Sequence, residues 1–301
     1  MTKKIVVVPV SLTSEVEARS ETIGTCALCD MANVSLKESH SIPKFAYKWI
    51  KDTASTPYLR SFEDVNCRIQ DGPKEHLLCG VCEGKLAVME KELAEQLFKK
   101  IANYRQQASK IKVTDTMRVA VLSVFWRAIL TTKGRANSRL DIDNLKLEEF
   151  LASAKNQIRN NECKTTIFFT PFYGPPPYYE LDKSLTYILE RGIGGQEMRF
   201  FDDPHRYYVT FKLPFMFFHI LGEDWPTDEI ERSTKFISGE LNIAEIRTIP
   251  ECLRDLIIHL QSEFEEKKEL MNEANRAQIK HDVERNTKDS GSDKSMARSD
   301  L

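Results

Sequence analysis

The sequence predicts an α+β protein in two parts: an N-terminal domain gathered around four cysteines, then a domain mixing helices with a small antiparallel sheet. Three observations predict it. Two Cys-x-x-Cys pairs stand far apart, at Cys26/Cys29 and Cys79/Cys82, and a helical apolar period follows the second. Beyond residue 110 two apolar helical segments give way to aromatic and β-branched runs. The composition is that of a globular chain: 301 residues, 41% hydrophobic and 29% charged, allow a buried core and match neither a disordered nor a membrane class.

Residues 1–21 read as a strand and connector. Met1-Thr2-Lys3-Lys4 carries the charge of a signal-peptide start, but the apolar stretch Ile5–Val8 is cut short by Pro9 and polar residues, so a β-strand is expected there. Even Phe211–Leu221 is short of the roughly 20 apolar residues that span a bilayer, and it contains Lys212, Pro214 and His219. No membrane partner is expected, and the expected location is cytoplasmic. Seven cysteines are then reduced thiols, free to bind metal.

Within residues 22–110, Ser41-Ile42-Pro43 is a helix entry, and residues 44–51 pair Phe45 with Trp49 and Ala46 with Ile50 on one side. Lys44, Lys48 and Lys51 fall on or near the other side. Residues 52–74, with Pro57, Gly72 and Pro73, are expected to form a loop or short hairpin. From Glu83 the positions Leu86, Met89, Leu93, Leu97 and Ile101 predict a long amphipathic helix with Cys82 at its start.

Residues 111–285 begin with an apolar helix over 119–130 and a second over 145–158, with Leu147, Phe150, Leu151 and Ala154 inward. Strands are expected at 165–170, 197–201 and 206–213, the last two joined by a turn at Asp202-Asp203-Pro204-His205. Gly174-Pro175-Pro176-Pro177 is an extended connector. A last helix runs from Pro250 into the 270s on Leu253, Leu256, Ile257 and Leu260, and residues 286–301 are expected to be a disordered tail.

The chemistry begins at the cysteines. Thiolate is the preferred donor for structural Zn²⁺, and each CxxC turn offers two sulfurs at tetrahedral angles, so Cys26, Cys29, Cys79 and Cys82 are expected to close one site. With residues 30–78 between the pairs, the spacing suits a treble clef: the first knuckle precedes a hairpin, and the second opens a helix whose dipole favours thiolate. Cys67, Cys163 and Cys252 are isolated and read as ordinary thiols.

The run CALC at Cys26–Cys29, SHSIPKF at Ser39–Phe45 and LLCGVCE at Leu77–Glu83 resembles the zinc-stapled ββα-metal core of HNH endonucleases of bacterial proteins, over roughly residues 22–105. The resemblance implies His40 as general base and Glu83, where the family has its last histidine, as a ligand of catalytic Mg²⁺ or Mn²⁺. Ser39 stands where the family places a metal-binding Asp or His. The family's orienting asparagine has two candidate counterparts, Asn66 and Asp71. The resemblance also implies bacterial defence or mobile-element biology.

A net charge of −2 gives no global attraction to nucleic acid, so binding must rely on a local patch, for which Lys44, Lys48 and Lys51 are the candidates. The expected partner is nucleic acid, DNA ahead of RNA, or a protein. The leading function is a metal-dependent endonuclease of HNH-like type, degenerate if its metal ligands fail. The alternative is a non-catalytic zinc-stabilised binding module, and a third reading is a thiol oxidoreductase using one CxxC.

Overall fold

A computed structural model describes residues 21–56, 58–61, 63–134, 139–174 and 182–285. The expected strand at Ile5–Val8, the prolines 175–177 and the tail from 286 lie outside the described residues.

The first part is a strand pair followed by a helix. Strand β1 (Ile23–Gly24) pairs antiparallel with β2 (Val34–His40), and β2 pairs antiparallel with β5 (Lys74–Cys79), Leu36 opposite Cys79 and His40 opposite Lys74. Helix α2 (Gly80–Leu93) leaves directly from β5, so the second cysteine pair stands at a helix N-terminus, as the spacing predicts. The order of knuckle, antiparallel strands and helix is that of a treble clef. Between β2 and β5 lie α1 (Lys44–Asp52) and a two-residue hairpin of β3 (Leu59–Arg60) and β4 (Arg68–Ile69). Pro43 caps α1 at φ −56 and ψ 137, just before the first turn. Gly72 is required after this insert because a Cβ would lie 2.1 Å from Cζ of the buried Tyr47.

The long helix expected from Glu83 begins at Gly80 and is not uniform. A π-helical turn at Ala94–Phe98 follows α2 and leads into α3 (Lys99–Ile101), keeping Leu97, Phe98 and Ile101 buried together.

Helix α4 (Asp115–Thr132) is buried on all sides from Val119 to Ile129 and packs against α2, α5 (Asp141–Arg159) and one face of a sheet. The four-stranded antiparallel sheet runs β7 (Phe168–Pro171), β10 (Met216–Leu221), β9 (His205–Leu213), β8 (Gly194–Asp202). Asp202 pairs with His205 across the turn that the sequence predicts. Alternation divides its side chains: Val209, Phe211, Met216 and Phe218 enter the main core, while Tyr208 and Phe217 meet Leu253, Leu256 and Ile257 of α8 (Glu251–Glu269).

Several elements add to the expected set: β6 (Lys110–Val113) paired with β11 (Gly239–Asn242), α6 (Lys183–Arg191), α7 (Thr227–Glu231), and α9 (Glu273–Arg285), separated from α8 by a break. One apolar cluster includes Cys26, Leu86, Leu93, Val121, Phe125, Phe211 and Phe218, so chain on both sides of residue 110 shares an interior. Among the described residues no helix is long and apolar enough to cross a membrane.

Candidate metal centre and the adjoining polar cleft

Backbone geometry shapes the first knuckle before any metal is considered. Cys26 N–H donates to Met31 O at 3.0 Å, Asp30 N–H donates to Cys26 O at 3.0 Å, and Asp30 adopts φ 63 to close the turn, a conformation its short polar side chain tolerates. Ala27 N–H donates to Leu77 O at 2.9 Å and so fastens the knuckle to β5. The Asp30 carboxylate also pairs with Lys155 and, at 3.2 Å, with Arg159, both on α5. Cys79 closes β5 as the cap residue of α2, and Cys82 sits in the helix's first turn.

These elements bring the four sulfurs within 4.8 Å of one another, Cys29 Sγ and Cys79 Sγ being 3.9 Å apart. Four sulfurs at about 2.3 Å from a tetrahedral ion would be about 3.8 Å apart, so the donor set fits one thiophilic cation such as zinc with sub-ångström to ångström adjustment. Cys79 N–H already donates to Cys26 Sγ at 3.3 Å. Burial alone would push the Cys26 thiol up, but N–H groups of Cys29, Cys79 and Leu28 outweigh it and lower the pKa to about 7. Cys82 goes the other way, raised by burial and by the three sulfurs around it. A central cation removes that mutual opposition. Among the described residues these four form the one group of three or more metal-ligating side chains close enough to share an ion. Cys67 is exposed, Cys163 is buried and Cys252 is intermediate, all apart from the cluster.

His40 and Glu83 come together as well. His40 ends β2, Glu83 lies in the first turns of α2, and both line a cleft of about 360 Å³ with Glu38, Lys44, Lys74, Glu90 and Arg127. Of the two candidates for the orienting position, Asp71 meets the imidazole: its Oδ2 is 3.0 Å from His40 Nε2 and 3.2 Å from Lys74 Nζ. The His40 contact is an ion-pair approach off the hydrogen-bond axis, since the buried Nε2 has no well-angled hydrogen-bond partner. Burial would raise the Asp71 pKa, but His40, the Gly72 N–H at 3.0 Å and Lys74 hold the carboxyl below its ordinary value. Asn66 is instead committed elsewhere, its amide donating to Leu270 O at 3.1 Å and accepting from Asn272 N–H at 2.9 Å.

Ser39, wholly buried, donates to Glu83 Oε2 at 2.6 Å, so the two positions that the family resemblance assigns to metal ligands meet each other. The three lysines of α1 divide. Lys44 reaches the cleft, whereas Lys48 pairs with Asp52 at 2.7 Å and Lys51 donates to Gln70 O at 2.6 Å. His76 is exposed and belongs to β5, opposite Glu38.

Arg127 and Glu90 escaped the sequence reading. Arg127 is 2% exposed; it donates to His40 O at 2.9 Å and to Ser123 O at 3.3 Å, and it forms an ion pair with Glu90. The available signal was a lone cation inside the apolar run 119–130, and a glutamate two helical turns after Glu83.

No protein-family model, curated protein or solved structure matches the chain.

Proposed function

We propose that this chain is a zinc-stapled, HNH-like endonuclease that hydrolyses phosphodiester bonds in nucleic acid, DNA ahead of RNA, in a cytoplasmic setting where thiols stay reduced. The observation that carries the reading is the convergence of His40 and Glu83 at one cleft, from a strand end and a helix start, with Asp71 of the following insert against the imidazole. Zinc, held by the four cysteines, is structural: it fixes the β2–β5–α2 frame that sets His40 opposite Glu83.

In this reading His40 accepts a proton from the water whose oxygen attacks phosphorus, the bond to the leaving sugar oxygen breaks, and that oxygen is reprotonated. Asp71 sits against the imidazole at Nε2, while Lys44 and Lys74 attract the phosphate. A Mg²⁺ or Mn²⁺ ion on Glu83 would neutralise charge developing on the phosphate oxygens, with Ser39 donating to Oε2 and Oε1 left to face the ion. Incubating the protein with plasmid and with RNA, with Mg²⁺ or Mn²⁺, beside His40→Ala, tests this. Metal-dependent cleavage that disappears in the variant is expected, and cleavage that persists without His40 removes the mechanism.

The Ser39–Glu83 hydrogen bond favours a second reading, in which the same frame is a non-catalytic zinc module that binds nucleic acid or a protein. Binding without cleavage under any divalent ion selects it. A thiol oxidoreductase is disfavoured because all four CxxC sulfurs share one cluster.

A further inference from the structure

The hairpin inserted between β2 and β5 carries an aromatic and basic patch that no role has so far used. The guanidinium of Arg68 lies 4.5 Å from the centre of the Tyr58 ring and that of Arg60 lies 5.5 Å from it, two cations gathered around one phenol. Arg68 is exposed. Arg60 donates through Nη1 to Val65 O at 2.9 Å, which fixes its plane, while its buried Nη2 has no hydrogen-bond partner. Lys51, which donates to Gln70 O, links this hairpin to α1, so the patch adjoins the helix that brings Lys44 to the cleft.

Helix α9 sits on that patch, and it does so with polar atoms. Tyr58 Oη donates to Asp282 Oδ2 at 2.9 Å, and Arg60 Nη1 donates to Asn275 Oδ1 at 3.0 Å. None of the residues of α9 is buried, in contrast to α8, where Leu253, Leu256 and Ile257 are core. The α8–α9 break is held by Asn66, which meets Leu270 O and the Asn272 N–H and also accepts from Asn275 Nδ2 at 3.3 Å. The helix therefore has a fixed hinge near residues 270–272 and a body whose inner face, with Asn275, Gln278, Ile279, Asp282 and Val283, is only half-buried.

We infer that α9 is an autoinhibitory strap over a phosphate-backbone binding surface formed by Tyr58, Arg60 and Arg68. The acceptor oxygens of Asp282 and Asn275 occupy the positions that phosphodiester oxygens take when a nucleic-acid strand displaces the helix. Two arginines around an aromatic ring suit such a strand, with charge for phosphate and a π-face for sugar or base. The inference rests on the nucleic-acid reading for the class of ligand, but needs neither His40 nor a catalytic metal.

The test uses the full chain with Asn275→Ala and Asp282→Ala together, which releases the body of α9 and leaves the bonds of Asn66 to Leu270 O and the Asn272 N–H. Binding of a fluorescent oligonucleotide, single-stranded and duplex, is measured by anisotropy without added Mg²⁺ between 50 and 200 mM salt, alongside amide exchange over residues 273–285. Faster exchange in α9 and tighter binding are expected. If two more phosphates of a duplex are engaged, the slope of log K against log salt steepens by about 1.8, a further loss of about tenfold across that salt range. Adding Arg60→Gln and Arg68→Gln to the released variant should abolish the gain. Unchanged exchange, unchanged affinity, or a gain that survives loss of both arginines overturns the strap. A chain that binds through this patch yet never cleaves supports the strap while refuting the endonuclease reading, so the two fail separately.

Discussion

Acid should destabilise this protein through one buried imidazole. His219, on β10, is 1% exposed; its ring stacks on Phe168 at 5.1 Å, and its Nε2 lies 3.1 Å from Ser233 Oγ. Ser233 spends its own proton on Glu229 O at 2.8 Å, so its oxygen accepts from Nε2–H, and Nδ1, the atom that would take a second proton, is buried without a partner. Burial accordingly lowers the pKa from 6.5 to about 3. The sign follows from linkage: between those two values the unfolded chain binds a proton that the folded chain refuses. Stability from this group is complete above pH 6.5 and is lost as pH falls from there towards 3. At about 1.4 kcal/mol per pH unit, moving from pH 7 to pH 5 removes about 2 kcal/mol. Urea unfolding of the wild type and His219→Gln across that range isolates the contribution, because every other titrating group is common to both. The variant should be less stable at pH 7 but show a shallower decline by about that amount. Parallel pH dependences in the two proteins would refute the reasoning.

Three further perturbations follow from the packing. Arg127→Leu leaves the Glu90 carboxylate without its partner and removes the donor to His40 O, so it should destabilise by about 3 kcal/mol or more, with much of the loss recovered in Arg127→Leu/Glu90→Leu, as read by denaturant melts. Gly72→Ala drives a Cβ into the buried Tyr47 ring and should lower stability by about 1–3 kcal/mol, whereas Tyr47→Ala in the same chain should relieve the clash; an unaffected single variant would mean that the ring yields freely. Cys26→Ser should lose bound metal and unfold at much lower temperature, while Cys67→Ser, exposed and outside the cluster, should match the wild type in metal content and melting temperature.

What was legible in the sequence was what periodic or stoichiometric chemistry announces. Four cysteines in two tight turns pointed to one cluster, and the apolar periods of α2, α4, α5 and α8 placed those helices to within a few residues. Strands β2 and β5 were not separately legible, because Val-Ser-Leu-Lys-Glu-Ser-His and Lys-Glu-His-Leu-Leu-Cys are polar, half-exposed segments held by pairing with each other rather than by an apolar face. Helix α9 fully buries none of its residues, and its half-buried face is mostly polar, so no apolar period marks it. At the cleft, His40 and Glu83 came from the resemblance to HNH endonucleases, but the choice of Asp71 over Asn66 depends on how the insert folds back, with Gly72 packed against Tyr47. Arg127 approaches His40 from a helix 87 residues away, a contact no local pattern encodes.

The central claim is that four sulfurs from two distant turns hold one metal ion and thereby build the frame around His40. Elemental analysis of the fully reduced, purified chain tests it most directly. One equivalent of zinc per chain is predicted, lost on Cys26→Ser/Cys79→Ser substitution; a metal-free wild type, or a doubly substituted chain that keeps its zinc, would contradict the account.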